Sequence, residues 1–469
     1  MKIHFLGANR QVTGSRYILE VSGKQIMIDC GMFQERQFQA RNWDKCPIPA
    51  EEVDALILTH VHIDHSGLLP RFVKEGFNGP IYCTEPSAAL AEVMLRDAAK
   101  IQEEDAAYKA KRHNREGRSL AKKEEPLYTD ADVDSVLPLL KGYGYKQRIE
   151  VTENVSATFF DAGHILGSAM VEIEAKENGR TVHIVFSGDI GQMNKPLIED
   201  PSLLHRADYV VMESTYGDKD HEKSVDVETQ LARIINETVE RRGNVVIPTF
   251  ATERAQELMY FFGKLVHAKR IPSLKVFLDS PMAVDVTNIF LRFEDYLDEE
   301  TRKMIHGNTP PLRFPGLTMV RTAAESIRIN SVDDPCVIMS SSGMCNAGRI
   351  KHHLRNNIER PNATILFVGH QGDGTLGRQI LDGKPIVRIH GRDYHVRAHI
   401  EQIYGFSGHA DRSGLLNWIK HFFPAPKRVF LTHGEEPVTL GFADLLRKSR
   451  TLRYTSRQYR ERSIFRPLG

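Results

Sequence analysis

The chain has 469 residues, with 62 Lys and Arg balanced by 61 Asp and Glu. That length buries a large core and predicts two domains, while the balanced charge excludes a uniformly basic nucleic-acid coat, so any site for a polyanion must be local. Five cysteines (Cys30, Cys46, Cys83, Cys336 and Cys345) form no C-x-x-C pair, which argues against a zinc ribbon or a disulfide framework and for reduced thiols in a cytoplasm.

Residues 1–7 read as a first strand and turn, with no apolar core for a signal peptide, and no apolar run reaches transmembrane length. A soluble, cytoplasmic protein with no membrane partner is expected. Residues 25–31 read Gln25-Ile26-Met27-Ile28-Asp29-Cys30-Gly31. Residues 53–58 read as a buried strand and lead into Thr59-His60-Val61-His62-Ile63-Asp64-His65-Ser66-Gly67. Three imidazoles and a carboxylate thus fall within six positions, before a helix that starts near Leu68. His60 and His62 can face one way from an extended backbone, and Asp64 and His65 a second point nearby. This arrangement suits two metal ions rather than one.

Between residues 87 and 125 the pattern turns helical and heavily charged. Leu90, Val93, Met94 and Ile101 keep roughly helical spacing before apolar content fades. A long helix running into an exposed arm is expected, its charges a solvated face, with an RNA-guiding role as the alternative.

Two metals need more ligands than one turn supplies, and the chain offers them in a repeated setting. The predicted strand at 155–160 ends in Asp161-Ala162-Gly163-His164. The one at 181–186 ends in Ser187-Gly188-Asp189, and the one at 428–431 in Thr432-His433-Gly434. Each time a potential ligand sits just past an apolar run with Gly beside it, where the backbone can turn sharply or approach closely.

From about Asp218 strands and helices alternate regularly. Strands are predicted at 244–248, 275–278, 336–339 and 363–368, each followed by a helix (253–266, from 284, 348–356 and 376–381). This is the pattern of a parallel sheet covered by helices. Ser340-Ser341-Ser342-Gly343-Met344 and Gly369-His370-Gln371-Gly372-Asp373-Gly374-Thr375 are strand-to-helix loops whose backbone N–H groups could grip phosphate, with Arg254 and Arg349 adding charge. No Walker A loop is present, because Gly-Lys-Ser/Thr is missing. The tail from Arg447 to Arg466 is basic and interleaves Tyr454, Tyr459 and Phe465. It reads as a last helix and a disordered end, with RNA contact by charge and stacking as the alternative.

His60-x-His62-x-Asp64-His65 with His164, Asp189 and His433 resembles the metallo-β-lactamase superfamily, and Asp29-Cys30-Gly31 resembles its first motif. Three further segments resemble the motifs A, B and C of the β-CASP nucleases: Tyr209-Val210-Val211-Met212-Glu213-Ser214-Thr215, Gly405-Phe406-Ser407-Gly408-His409-Ala410-Asp411, and Leu431-Thr432-His433-Gly434-Glu435. Pro248-Thr249-Phe250-Ala251, Arg254-Ala255-Gln256-Glu257 and Ser342-Gly343-Met344 also match. The resemblance covers nearly the whole chain and is nearest to the bacterial and archaeal relatives of the nuclease subunit of the cleavage and polyadenylation machinery.

The resemblance implies an α/β fold: an αββα sandwich at residues 1–216, interrupted by a β-CASP domain on a mainly parallel sheet at 217–403 and completed by 404–469. It implies two zinc ions, one held by His60, His62 and His164, the other by Asp64, His65 and His433, with Asp189 bridging. It implies hydrolysis of single-stranded RNA to 5′-phosphate and 3′-hydroxyl ends. His409 would be the general acid, Glu213 its orienting partner and Asp29 an orienter of ligands. Ser341, Gly343, Arg349, Ser407 and Gly408 would contact substrate. A DNA nuclease is the first alternative, and His433 speaks against it because DNA-directed members carry Val there. A small thioester or lactam hydrolase would lack the inserted domain and the motif B histidine. A catalytically dead RNA-binding subunit would have lost ligands. A 5′-exonuclease of the ribonuclease J type is a further alternative, although its extra C-terminal domain would not fit in the residues after His433. Endonucleolytic and exonucleolytic action stay undivided, and a homodimer is left open.

Overall fold

The structure is a computed structural model that describes residues 1–115, 124–222 and 226–448, together with the strands Tyr454–Ser456 and Arg462–Ile464. The chain folds into two compact units. One comprises Met1–Asn194, Asp200–Asp220 and Gly408–Gly469, the other Lys195–Glu199 and His221–Ser407.

The first unit is a sandwich of two seven-stranded sheets. One sheet runs in the order Arg462–Ile464, Lys2–Phe5, Tyr17–Val21, Lys24–Ile28, Ala55–Ile57, Ile81–Thr84, Leu140–Tyr143. The other runs Tyr454–Ser456, Arg428–Thr432, Tyr209–Glu213, Arg180–Phe186, Ala169–Glu177, Val155–Asp161, Arg148–Thr152. Strand periodicity sorts their side chains between layers. In Ala169–Glu177, residues Val171, Ile173 and Ala175 enter the core between the sheets, beside Ile3, Phe5, Leu19, Ile28, Phe159, Phe186 and Phe430. Met170 points the other way. It joins Val185, Val210, Met212 and Leu431 against Leu415, Trp418 and Ile419 of helix Arg412–Lys420, and against Phe442 and Leu446 of helix Glu436–Lys448. Helix Glu85–Arg115 lies against the far strands of the first sheet. Sheets inside and helices outside give the expected αββα order.

The long predicted helix is present, and Arg96 on it pairs with Glu92, Asp130 and Asp134, as a solvated face should. Residues 116–123 of the predicted arm lie outside the described residues. The tail departs from expectation. After helix Glu436–Lys448 two short strands are described: Tyr454–Ser456 pairs in parallel with Arg428–Thr432, and Arg462–Ile464 pairs antiparallel with Lys2–Phe5. Each extends one sheet at an edge, which gives those strands the backbone partners a bare edge lacks. The predicted stacking residues Tyr459 and Phe465 lie outside the described residues.

The second unit holds a six-stranded, wholly parallel sheet in the order Leu317–Met319, Lys275–Asp279, Cys336–Ser340, Val245–Pro248, Thr364–Val368, His399–Ile403. Its central strands are buried throughout, as expected where helices cover both faces. A separate antiparallel hairpin, Ile386–Ile389 with Arg392–His395, was not foreseen. No described helix is long and apolar enough to cross a membrane.

Candidate metal centre

All seven predicted ligands gather at one end of the sandwich, and each arrives from the carboxyl end of a strand. His60 and His62 follow Ala55–Ile57. Asp64 and His65 sit on the single helical turn Ile63–Ser66, whose backbone is latched to the loop after Lys24–Ile28, where Cys30 N–H donates to the His65 carbonyl at 2.7 Å and Met32 N–H to Ile63 at 2.9 Å, and to the segment before Tyr17–Val21, where Ser15 N–H donates to Asp64 at 2.8 Å. A Cβ on Gly31 would lie 1.7 Å from the Asp64 carbonyl oxygen. That position therefore requires glycine, and Gly31→Ala should push Asp64 out of place. We expect that variant to fold with a stability loss of about 1–3 kcal/mol, the usual range for overpacking, and to lose metal, as elemental analysis would show. Full metal content would remove the requirement.

Two adjacent groups result. His60, His62, His164 and Asp189 form one, and Asp64, His65 and His433 the other, each with donor atoms mutually close enough to hold a metal ion. In the first, His62 Nδ1 lies 3.2 Å from His60 Nε2 and 3.1 Å from His164 Nε2. Asp189 Oδ2 lies 3.4 Å from His60 Nε2 and 3.5 Å from His164 Nε2. Its other oxygen, Oδ1, faces the second group, 3.2 Å from His65 Nε2 and 3.6 Å from His433 Nε2. Asp64 Oδ2 stands 3.3 Å from His433 Nε2. Asp189 is thus positioned to serve both groups.

Hydrogen bonds behind the rings fix which nitrogen faces inward. Asp29 Oδ2 accepts from His65 Nδ1 at 2.7 Å and from Thr59 Oγ1 at 2.9 Å. Thr59, having donated there, can accept from His60 Nδ1 at 3.2 Å. The Gly408 carbonyl accepts from His164 Nδ1 at 2.9 Å. Thr215 Oγ1 donates to the His433 carbonyl at 3.0 Å and can accept from His433 Nδ1 at 3.0 Å. Four imidazoles therefore carry N–H on Nδ1 and turn an Nε2 lone pair toward the centre, and such partners fix the tautomer of metal-ligating histidines. Thr59 and Thr215 were not singled out from sequence. Each lies beside a motif residue, and that adjacency was the available signal.

Burial and mutual contact shift most of these groups. Burial lowers His60 to about 3 and also lowers His62 and His164. Burial opposes protonation of His65 too, but Asp189 and Asp29 outweigh it and raise this group well above its ordinary value. Burial likewise opposes ionisation of Asp189, yet His433, His65 and His60 hold its carboxyl well below the usual range. The buried Asp189 Oδ1 has no hydrogen-bond partner, an exception among buried oxygens that a bound ion would explain. Nitrogen and carboxylate donors without thiolate suit zinc. The residues fit the ions the sequence implied.

His409 stands beside the centre. Its Nδ1 is 3.2 Å from both carboxylate oxygens of the buried Glu213, and its Nε2 is 4.0 Å from Asp189 Oδ2. Glu213 is held in turn by the Ile190 N–H at 2.6 Å. Burial lowers the affinity of His409 for a proton, but the Glu213 and Asp189 carboxylates outweigh that and raise its pKa to about 9.

Of the predicted substrate contacts, Ser341 and Gly343 lie in the loop after Cys336–Ser340, at the carboxyl edge of the parallel sheet, where ligand sites of open α/β sheets occur. Ser341 Oγ donates to Ser280 Oγ at 2.9 Å, and the Gly343 carbonyl accepts from Gln371 at 3.0 Å. Gly408 orients His164 through its carbonyl, and the Ser407 carbonyl accepts from Lys195 at 3.0 Å. Arg349, expected to add charge to a phosphate site, has partners within the protein. Its Nη1 donates to the fully buried Asp279 at 2.7 Å and its Nη2 to the Arg321 carbonyl at 2.7 Å. Asp279 also holds His353 and Ser326, each at 2.6 Å. Arg349→Ala should therefore cost about 1–3 kcal/mol of stability through an underpaired buried carboxylate, measured by denaturant unfolding. An unchanged midpoint would return Arg349 to the pool of substrate contacts.

Known families match along most of the chain. A metallo-beta-lactamase superfamily domain matches residues 18–213, a Beta-Casp domain 255–380, and a Zn-dependent metallo-hydrolase RNA specificity domain 393–454. A ribonuclease of Thermus thermophilus is 37 % identical over 446 residues, covering 95 % of this chain and 96 % of the relative. The transcription termination factor FttA of Methanocaldococcus jannaschii is 30 % identical, covering 96 % of this chain and 69 % of that protein. An RNase J-like protein of the same archaeon is 28 % identical, covering 94 % of each. A crystal structure of an Enterococcus faecalis protein of unknown function shares the fold, with a TM-score of 0.57 at 14 % identity over 98 % of this chain and 99 % of the other.

Proposed function

The chain belongs to the β-CASP family of the metallo-β-lactamase superfamily and is a metal-dependent hydrolase; on that premise we propose that it is a cytoplasmic two-zinc ribonuclease that cuts single-stranded RNA to leave 5′-phosphate and 3′-hydroxyl ends. The observation that carries the reading is the pairing of a seven-ligand centre with His409, held by Glu213. A hydrolase of small substrates with a good leaving group needs only the first. Cleavage of a phosphodiester must also protonate a departing alkoxide.

His60, His62 and His164 would hold one zinc, Asp64, His65 and His433 the other, and Asp189 both. When bound, the ions supply Lewis acidity that activates water and offsets charge on the phosphate. The chain's own residues do the rest. Asp29, Thr59, Thr215 and the Gly408 carbonyl keep the imidazole lone pairs aimed inward. Glu213 keeps His409 protonated and turned, with Nε2 toward the centre. From there Nε2 delivers its proton to the 3′ oxygen as the P–O bond breaks, a task suited to a positioned histidine. The loop bearing Ser341 and Gly343 offers backbone N–H groups and hydroxyls of the kind that bind phosphate.

A 5′-exonucleolytic mode remains as a second reading, because the RNase J-like relative matches this chain over 94 % of its own length. Purified protein should be incubated with 5′-labelled and internally labelled single-stranded RNA and with matched DNA. RNA fragments bearing 3′-hydroxyls are expected, and released mononucleotides would mark the exonucleolytic mode. DNA cleavage at an equal rate would overturn the RNA assignment.

A further inference from the structure

Charge on this chain is balanced overall but not locally. Residues 349–360 and 384–399 each hold four Lys or Arg against one acid, so the two segments carry a formal +6 in a chain whose total is +1. The fold of the second unit brings them together. Helix Ile350–Asn357 and hairpin Ile386–Ile389 with Arg392–His395 share a core through Ile350, Leu354, Ile358, Val387 and Ile389. The His395 N–H donates to the Glu359 carboxylate at 3.0 Å, and the N–H groups of Arg397 and Ala398 both donate to the Ile358 carbonyl at 2.9 Å. At the hairpin turn the His390 ring packs on His352 with centroids 4.5 Å apart.

Many surface cations of the chain are paired with acids: Arg71 with Glu75, Arg148 with Glu150 and Glu174, Arg233 with Glu237 and Glu401, Arg270 with Glu228. In these two segments most are not. Among the described residues Lys351, Arg355, Arg388, Arg392 and Arg397 form no ion pair, and all but Lys351 are exposed. The field they make is felt locally. Burial lowers His352 and His390, and the positive charges of Arg355 and Lys351 lower both further, so the two rings, tilted against each other, sit amid cations. A solvated face would gain by interspersing acids, and self-repulsion opposes leaving like charges together. An array of unpaired cations around exposed π-faces suits a single-stranded polyanion with bases.

We infer that the basic surface of helix Ile350–Asn357 and the hairpin at 386–395 is a tethering site for the sugar-phosphate backbone of RNA lying outside the segment being cut. The inference rests on the proposed ribonuclease activity for its ligand but not for its test. A variant carrying Lys351→Gln, Arg355→Gln, Arg388→Gln and Arg392→Gln should be compared with the intact protein. Filter binding would use a long unstructured RNA across a salt series, and cleavage would be followed on the same RNA and on a short oligonucleotide. If the site engages about four phosphates, the slope of log K against log salt should flatten by about 3. Affinity for the long RNA should fall at least tenfold, while zinc content, thermal midpoint and turnover of the short oligonucleotide stay unchanged. Unchanged affinity and slope, in an intact protein that does cut RNA, would overturn the tether and leave the activity standing. Tight, patch-dependent binding by a protein that cuts no RNA would overturn the activity and leave the tether. An intact protein that does not bind RNA would overturn the tether outright.

Discussion

His62→Ala and Asp189→Ala should each reduce RNA cleavage to background and lower bound zinc from about two per chain. The two losses should differ in kind. His62 offers a single nitrogen, Nδ1, to one group of donors, so its removal should empty one position first. Asp189 faces both groups with different oxygens, so its removal should weaken both. Removing a residue behind the ligands should do less. Asp29→Ala takes away the hydrogen bonds that hold His65 and Thr59, and Thr215→Val those that hold His433, and losses of about 10–100-fold in metal affinity are expected for such partners. Elemental analysis of protein purified without chelator, with competitive chelator titration of each variant, separates these cases. Full cleavage by chelator-stripped protein, or equal zinc in Asp189→Ala and the intact chain, would remove the metal centre from the mechanism.

The centre was legible because its residues are local to strands that apolar runs announce. Ala55–Ile57, Val155–Asp161, Arg180–Phe186 and Arg428–Thr432 all stand where alternation and β-branched residues put them, and the ligands follow directly. Their convergence was not readable from spacing. His433 comes 369 residues after Asp64, and only resemblance to a family brought the two together in advance. What sequence hid was backbone and partnership. Gly408 was read as a substrate contact, and its carbonyl's hold on the His164 ring is a role invisible in side-chain chemistry. Arg349 was read as added charge at a phosphate loop, and its pairing with Asp279, fully buried at the end of a neighbouring strand, was not legible. The tail's two short strands were missed because three residues are too few for periodicity to show. They form because the sheets already offer edges to pair with.

His409→Ala should keep both metals and bind RNA nearly normally while its cleavage rate falls by ~10²–10⁴-fold, the usual worth of a general acid. The expectation follows from placement. His409 lies beside the centre rather than in it, with Nδ1 occupied by Glu213 and Nε2 facing Asp189 at 4.0 Å. Glu213→Gln should cost less, because the amide still orients the ring but no longer favours its protonated form. The sign of its pH effect is fixed: an acid acts only while protonated, so activity is lost as pH rises through its pKa. Removing the carboxylate charge that raises His409 must then move the alkaline limb of the rate profile to lower pH. A merely structural Glu213 would lower the rate without moving that limb. The decisive substrate carries sulfur in place of the 3′ bridging oxygen, since a thiolate departs without a proton. It should restore His409→Ala toward the intact rate and leave Asp189→Ala inactive, whose defect lies in holding the metals. If the sulfur substrate rescues neither variant, His409 does not protonate the leaving group, and its tie to Glu213 must serve to position phosphate instead.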